Sequence, residues 1–149
     1  MSESNRIDVG GSFTLPCEPD VAFPHFTPRG EMEWVPGWEP RFVHPPSGEL
    51  EVDQVFVTAA DGEETLWTVI ACNAEARTAE YLRVTPGSRM GRVRVAVEPD
   101  VAGARVSVRY VLTALTPAAR EELARFEAGF DAMLDEWRER TTRVVRARD

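Results

Sequence analysis

The stretch TPAAREELARFEAGFDAMLDEWRERTTRVV, residues 116–145, decides the fold of this chain. Its large apolar side chains recur at spacings of three and four, which is the repeat of one face of an α-helix. Thr116 and Pro117 indicate its start, because threonine can cap a first turn and proline fits the first helical position. The sequence predicts one helix of about thirty residues, roughly 45 Å long. So long an apolar face needs a large apolar surface to pack against.

Length and charge narrow the class of protein. The chain has 149 residues, and we predict a single domain over 1–149 with frayed ends at 1–5 and 146–149. A net charge of −8 argues against nucleic-acid binding, which draws on clustered Lys and Arg. The N-terminus lacks an apolar signal segment, and no stretch is long and apolar enough for a membrane span. We therefore expect a cytoplasmic protein. We also expect it to be a monomer or a homodimer.

Residues 50–115 supply the partner surface, since their apolar period changes to two. Turn signals such as Asp61-Gly62 and Pro86-Gly87 separate the alternating segments, which is typical of consecutive antiparallel hairpins. A further strand is predicted near the N-terminus, with a bulge or bend at Gly10-Gly11. The predicted strands are 6–16, 50–58, 65–72, 78–85, 89–97 and 105–115.

Between the first and second predicted strands lies a proline-rich stretch, Glu18 to Pro46. Proline spacing excludes long helices there but permits two short ones, at 19–26 and 28–34. In the first short helix we expect Val21, Ala22 and Phe26 to face inward. The segment Trp34-Val-Pro-Gly-Trp38 predicts a type II turn, because proline precedes glycine. Its two tryptophans could anchor the short helices on the sheet, or could gate a cavity.

The order of elements predicts an α+β helix-grip fold. A curved antiparallel sheet of about six to seven strands would wrap around the long C-terminal helix, with two short helices after strand 1. One valine-rich face and one Arg/Glu/Thr face indicate that only one side of the sheet is buried.

The segment Phe26-Thr-Pro-Arg-Gly-Glu-Met-Glu-Trp-Val-Pro-Gly-Trp38 resembles a motif of the START/Bet v 1-like (SRPBCC) helix-grip superfamily. The motif is that of an uncharacterised bacterial branch, and the superfamily also includes polyketide cyclase/dehydrase and lipid-transport proteins. The segments Val84-Thr-Pro-Gly-Ser88 and Leu115-Thr-Pro117 are similar to that branch as well. The resemblance covers roughly residues 7–145. It implies the helix-grip fold but no particular reaction.

The resemblance also implies a cavity between the sheet and the long helix, suited to a small hydrophobic or aromatic ligand. The apolar residues of the helix fit two interpretations, ordinary core and cavity lining, and we expect room for a ligand. The matching candidates for ligand binding are Trp34, Trp38, Phe56, Trp67, Tyr81, Phe126, Phe130, Met133 and Trp137. Gly129, in mid-helix, either permits a close approach of sheet or ligand or lies on the surface.

Among polar residues, Gln54 is the best interior candidate for ligand binding. It shares a face with Val52 and Phe56, so it would need a partner or a ligand if buried. Arg83, Arg92 and Arg94 would bind a carboxylate or an enolate if they pointed inward. We expect them outside instead, paired with Glu80 and Glu98, because the valines beside Arg92 and Arg94 favour the core.

No pattern of metal ligands, cofactor-binding loops or activated nucleophiles stands out. The histidines and cysteines, His25, His44, Cys17 and Cys72, are too scattered for a metal site, and we predict no metal and no cofactor. Three functions remain open. The first is binding of a small hydrophobic or aromatic molecule, and the second is a cyclase/aromatase-like enzyme acting on a ligand in the same cavity. The third is a co-chaperone-like interaction module.

Overall fold

The structure, a computed structural model, describes residues 4–147. Within this range seven strands form one antiparallel sheet in the order β1-β7-β6-β5-β4-β3-β2. The strands are β1 Arg6–Leu15, β2 Arg41–His44, β3 Val55–Ala60, β4 Glu63–Asn73, β5 Thr78–Thr85, β6 Arg89–Asp100 and β7 Gly103–Ala114. The helices are α1 Pro19–Ala22, α2 Pro117–Ala128 and α3 Phe130–Ala147, with 3₁₀ turns at Phe23–Phe26 and Gly30–Glu33. These elements confirm the predicted α+β architecture.

The predicted turns are present where the sequence signals placed them. Asp61 and Gly62 both have positive φ, 51° and 80°, as a type I′ hairpin requires. Gly37 has φ 74°, and the Trp38 N–H donates to the Val35 carbonyl at 3.2 Å, which closes the predicted type II turn. Because these turns fix the register between strands, they also fix which side chains face inward.

Two strand predictions in the middle of the chain were wrong. The edge strand β2, Arg41–His44, was missed, because its proline-rich surroundings disfavour a strand in any but an edge position. The predicted strand from residue 50 begins only at Val55, since Asp53 has a positive φ of 72° and the Gln54 N–H donates to the Glu51 carbonyl in a turn.

The predicted bulge at Gly10-Gly11 is absent, because β1 pairs with β7 in unbroken register from Arg6 to Leu15. Gly11 has a different role. A β-carbon on Gly11 would lie 2.7 Å from Leu134 Cδ1, so the bare backbone lets α3 lie close against β1. The glycine therefore lets the C-terminal helix lie close to β1.

The predicted thirty-residue helix is divided in two at Gly129. Thr116 caps the first part as expected, accepting a hydrogen bond from the Ala119 N–H at 3.1 Å. Gly129 leaves helical geometry with φ −95° and ψ 5°, and α3 begins at Phe130. Gly129 is exposed, which agrees with its surface interpretation. The prediction of frayed ends lies partly outside the described residues, although Arg146 and Ala147 belong to α3.

The sheet buries one face, as predicted. Its inner face carries the core valines of β6 and β7, whereas Arg92 and Arg94 are exposed on the outer face, with Arg92 3.7 Å from Glu80. The inward prediction for Val21 was wrong, since Val21 is 50% exposed while Ala22 and Phe26 are buried. Among residues 4–147, no helix is long and apolar enough to cross a membrane.

Candidate functional site

A cavity of about 200 Å³ lies between the inner face of the sheet, the Phe26–Trp38 segment and α3. Its walls are mostly aromatic and aliphatic, with three kinds of polar group among them: one carboxyl, one guanidinium and two phenols. The lining residues are Phe26, Pro28, Glu31, Val35, Trp38, Phe56, Trp67, Tyr81, Arg83, Val93, Val95, Tyr110 and Trp137.

Strand pairing explains why the sheet residues of the cavity meet. Directly paired residues on adjacent antiparallel strands point to the same face, so they form rows across the sheet. One inner row runs from Phe56 through Trp67 and Arg83 to Gly91. The next row contains Val69, Tyr81, Val93 and Tyr110. The floor of the cavity lies across these two rows.

Aromatic rings form one wall of the cavity. The Phe56 and Trp67 rings are stacked, with centroids 5.4 Å apart and planes at 8°. Trp38 packs edge-on against both, at 6.1 Å from Phe56 and 5.7 Å from Trp67. Such offset and edge contacts are favourable geometries for aromatic pairs. The wall is therefore built from flat, closely fitted surfaces.

The Phe26–Trp38 segment closes the cavity on another side and is held by its indole groups. Trp34 Nε1 donates to the His25 carbonyl at 2.7 Å, and Trp38 Nε1 donates to the Pro28 carbonyl at 2.8 Å. Gly30 lies so close to Pro24 that a β-carbon there would be 1.8 Å from its carbonyl oxygen. Both tryptophans thus anchor the segment, and Trp38 lines the cavity as well.

Glu31 brings a carboxyl group to this apolar cavity. Its side chain is half-buried and lines the cavity. Burial raises the pKa of the Glu31 carboxyl to about 8. At neutral pH this carboxyl is therefore mostly protonated and can donate a hydrogen bond as well as accept one.

Two phenols face the same space. Burial raises the pKa of Tyr81 and of Tyr110, and the nearby Glu31 carboxyl adds to both shifts. The Tyr81 hydroxyl is buried and has no hydrogen-bond partner within residues 4–147. Both phenols are neutral at physiological pH, so they offer hydroxyl groups that can donate to a bound oxygen atom.

Arg83 points inward, which corrects the prediction that it lies outside with Arg92 and Arg94. The Arg83 guanidinium lies over the Trp67 ring, 4.7 Å from its centroid, and Arg83 lines the cavity. The reason is the period of β5: Tyr81, Arg83 and Thr85 share a face, and the valines that argued for an outer position lie on another strand.

A second pocket of about 220 Å³ adjoins the cavity at the rim of the sheet. It is lined by the Pro36-Gly37 turn, the β3–β4 hairpin and Arg89. Trp38, Trp67 and Arg83 line both spaces, so these three side chains separate the inner cavity from the rim.

Solved structures with the same architecture are numerous, whereas no family model and no curated relative matches the sequence. The chain is similar to protein MLL2253 from Mesorhizobium loti, at 17% identity and a TM-score of 0.70, with 96% of this chain and 99% of that chain covered. Ara h 8.0201 aligns over 95% of this chain and 99% of its own, at 13% identity and a TM-score of 0.67. This chain has the Bet v 1-like helix-grip fold.

A third structure is norcoclaurine synthase from Thalictrum flavum, in complex with dopamine and hydroxybenzaldehyde. It is 11% identical, with a TM-score of 0.68 over 97% of this chain and 88% of that one. At such low identities the comparisons confirm the predicted helix-grip fold. They do not indicate the activity, which depends on the residues of each protein.

Half of the predicted ligand-binding residues lie at the cavity of this helix-grip chain. They are Trp38, Phe56, Trp67, Tyr81 and Trp137. The sheet register that the sequence left uncertain places Phe56, Trp67 and Tyr81 on the inner face, as expected. Their role in binding a ligand remains a prediction.

The other predicted residues are not part of the cavity wall. Phe130 is 1% exposed and Phe126 and Tyr110 pack on it, because α3 lies mainly against β1 and directs this part of its stripe into closed core. Met133 and Trp34 also pack against the core. Only Trp137 of the helix stripe reaches the cavity, where it contacts Trp34 edge-on at 5.4 Å.

Gln54 is fully buried, as predicted for an interior polar residue, but away from the cavity wall. Its backbone joins β4, because the Val69 N–H donates to the Gln54 carbonyl at 3.0 Å. Neither polar atom of its side-chain amide has a partner within residues 4–147.

Sequence reasoning missed three polar residues of the cavity: Glu31, Arg83 and Tyr110. Because side chains alternate along a strand, Arg83 lies on the same face of β5 as Tyr81, and this alternation could have identified it. Glu31 precedes Trp34 and Val35 by three and four residues, so the predicted short helix already placed it on their face. Tyr110 was not considered for the site.

Proposed function

We propose that this protein binds a small aromatic molecule in the cavity between the sheet, the Phe26–Trp38 segment and α3. The observation that carries the proposal is a cavity lined by seven aromatic side chains, on one side of which the Phe26–Trp38 segment is held by indole hydrogen bonds. A concave, mostly apolar site with a few convergent polar groups is the usual form of a small-molecule site. A space between the sheet, the Phe26–Trp38 segment and α3 favours this function over the interaction module, which depends on an exposed apolar patch.

The size of the cavity indicates the size of the ligand. Cavities of about 150 Å³ lined by apolar side chains accept benzene. The present cavity, about 200 Å³, therefore fits a single aromatic ring with a short substituent, unless the walls move apart. Stacked and edge-on ring contacts give an aromatic ligand an advantage over an aliphatic one of equal size.

Calorimetric titration with benzyl alcohol and with cyclohexylmethanol tests this proposal. We expect benzyl alcohol to bind more tightly, because the ring can pack against Trp38 and Trp67. Val95→Phe should weaken its binding by about tenfold or more, since the added ring occupies the cavity. Native mass spectrometry of the protein purified from its own host would identify a retained molecule.

Val111→Phe is the matched control, because Val111 is half-buried on the outer face of the sheet and the added ring lies outside the cavity. It should bind benzyl alcohol like the unchanged protein. If Val95→Phe and Val111→Phe bind the probe equally well, the cavity is not the binding site.

An enzymatic function is the second candidate, and Glu31 is the observation that favours it. A carboxyl group with a pKa of about 8 exists in both protonation states near neutral pH, as a general acid or base must. The hydroxyl of Tyr81 or Tyr110 could stabilise a developing enolate oxygen by donating a hydrogen bond. A proton abstracted by Glu31 beside a carbonyl would leave an enolate, which then condenses or is reprotonated.

Exchange of the methyl protons of acetophenone for deuterium, followed by NMR, tests this candidate. An enzyme of this kind should accelerate exchange over buffer, and Glu31→Gln should abolish the acceleration because an amide cannot accept the proton. Glu39→Gln, an exposed change in the same part of the chain, should leave the rate unchanged. Equal exchange with and without the unchanged protein would exclude base catalysis on this probe.

A further inference from the structure

Arg83 is a half-buried cation whose hydrogen-bonding capacity is unused. Its Nε atom is buried and has no partner, and within residues 4–147 the guanidinium forms no hydrogen bond and no ion pair. Its contact with the Trp67 ring supports the flat face of the guanidinium but leaves the N–H groups around its edge free. Buried polar groups are nearly always paired in native proteins, so such a group calls for an explanation.

The carboxylates near Arg83 do not supply the missing partner. The charge of Glu63 acts on Arg83, but the Glu63 carboxylate pairs with Arg89 at 3.2 Å. Arg89 also lies 3.5 Å from Glu122, so two carboxylates are committed to that arginine. Arg89 itself repels the Arg83 charge. The local charges therefore leave Arg83 without a counter-ion.

The space around Arg83 can hold a counter-ion. Its pairing partner on β6 is Gly91, where the β7 backbone takes the place of a side chain, since a β-carbon there would lie 1.9 Å from the Val111 carbonyl oxygen. On the other side stands Trp67, directly opposite on β4. Arg83 also borders both the inner cavity and the rim pocket. A group bound to the guanidinium could thus be continuous with a ring held in the aromatic cavity.

We propose that Arg83 is the anion-binding subsite of the cavity and that the ligand is a small aromatic carboxylic acid. Its ring would occupy the space between Trp38, Tyr81 and Trp137, and its carboxylate would accept hydrogen bonds from the Arg83 guanidinium. This inference rests on the proposed ligand-binding function and deepens it. A planar guanidinium is well suited to a carboxylate, since parallel N–H groups match its two oxygen atoms.

The rest of the cavity fits a ligand with one negative charge. Glu31 is mostly protonated at neutral pH, because burial raises its pKa to about 8, so it does not compete for Arg83. The Tyr81 hydroxyl has an unused hydrogen bond that a substituent of the ring could satisfy. The cavity then holds one cation, neutral donors and apolar walls, which together favour an aromatic monoanion.

Titration calorimetry at pH 7 with benzoate and with benzyl alcohol tests the inference, because the two probes share a ring and differ in charge. We expect benzoate to bind at least about tenfold more tightly than benzyl alcohol. Arg83→Met should remove this preference while benzyl alcohol still binds, since methionine keeps an apolar stem without the charge. Arg83→Lys should restore part of it.

Arg94→Met is the matched control, since Arg94 is exposed on the outer face of the neighbouring strand. It removes one positive charge from the molecule and should keep the full preference for benzoate. A preference lost equally in both methionine variants would show a general charge effect and overturn the inference.

The outcomes for the unchanged protein separate the two proposals. If neither benzoate nor benzyl alcohol binds, the proposed function fails and the subsite fails with it. If benzyl alcohol binds as tightly as benzoate or more tightly, the aromatic cavity stands and the anion subsite at Arg83 is wrong. This comparison needs no variant, so it does not depend on whether Arg83→Met folds.

Discussion

Arg83 and Trp67 are paired residues on adjacent strands, and the Arg83 guanidinium lies 4.7 Å from the centroid of the Trp67 ring. The contact is the only direct interaction that the structure gives this cation within residues 4–147. A cation–π contact stabilises by about 0.5–2 kcal/mol, whereas burying a charge costs several kcal/mol. We therefore expect Arg83 to lower the stability of the fold, and we attribute its presence to a role in function.

The first prediction concerns the stability of Arg83→Met. Replacing an unpaired buried charge by an apolar side chain of similar length should leave the free energy of unfolding unchanged or raise it by about 1–2 kcal/mol. Arg77→Met is the comparison, because Arg77 donates to the Val97 carbonyl at 3.1 Å and pairs with Asp20. It should lose about 1–2 kcal/mol. Urea unfolding of both variants gives the two values, and a larger loss for Arg83→Met would mean that the cation is structural.

The second prediction concerns pH and Glu31. Burial raises the pKa of this carboxyl from 4.5 to about 8, so the folded protein holds a proton that the unfolded chain has released. The Glu31 contribution to stability is therefore full below about pH 4.5 and is lost as pH rises to about 8. Since the side chain is only half-buried, we expect the free energy of unfolding to fall by roughly 2–4 kcal/mol over this pH range. This is less than the energy that corresponds to the whole pKa shift.

Glu31→Gln tests this second prediction, because its amide stays neutral at every pH. Between pH 5 and pH 9, the variant should gain stability relative to the unchanged protein by roughly the same amount. Glu39→Gln, at an exposed position, should follow the unchanged protein across the range. Parallel curves for Glu31→Gln and the unchanged protein would contradict the raised pKa.

The third prediction concerns a buried hydroxyl pair at the rim of the cavity. Thr65 Oγ1 and Thr85 Oγ1 are 2.7 Å apart, and both residues are buried. Thr85→Val should lower the free energy of unfolding by about 1–3 kcal/mol, because the Thr65 hydroxyl is left unpaired. Changing both to valine should cost less than the sum of the single changes. Strict additivity in this double-mutant cycle would show that the hydrogen bond contributes nothing to stability.

The fourth prediction compares two glycines. A β-carbon at Gly30 would lie 1.8 Å from the Pro24 carbonyl oxygen, so Gly30→Ala must push the Phe26–Trp38 segment aside. We expect a loss of about 1–3 kcal/mol and weaker ligand binding, since Glu31 moves with the segment. At Gly129 the added carbon would meet only the Arg125 carbonyl, at 3.5 Å.

Gly129→Ala should therefore be neutral or stabilising by up to about 1 kcal/mol, because alanine favours helix more than glycine does. Thermal unfolding monitored by circular dichroism distinguishes the two glycines. A large loss at Gly129 would indicate that the interruption between α2 and α3 is needed for the fold.

Local patterns predicted most of the fold. The period of three and four placed the C-terminal helix, and Asp61-Gly62 placed the turn between β3 and β4. Both signals act within a few residues, so they are visible in the sequence itself. The break at Gly129 and the edge strand at 41–44 were missed, because each depends on small local preferences that neighbouring elements decide.

The candidate site could be predicted only in part. The tryptophan segment and the inner positions of Phe56, Trp67 and Tyr81 followed from their patterns and from the family resemblance. The inward direction of Arg83 did not, because Arg83 was grouped with Arg92 and Arg94, whose neighbouring valines lie on β6, whereas the period of β5 decides its face. Phe130 and Met133 were expected at the cavity, but the way α3 lies on β1 directs them into core, and Phe126 of α2 packs there on Phe130.

The sequence by itself determined the elements and the helix-grip fold, because hydrophobic period, turn residues and capping act over short distances along the chain. Only the tertiary structure decided the chemistry of the cavity. Glu31 and Arg83 are 52 positions apart in the sequence, and both reach the same space once the sheet register and the Gly30–Pro24 contact are formed. Burial then gives them the properties that matter, a proton retained by Glu31 and an unpaired charge on Arg83, since both arise from the loss of water around the groups.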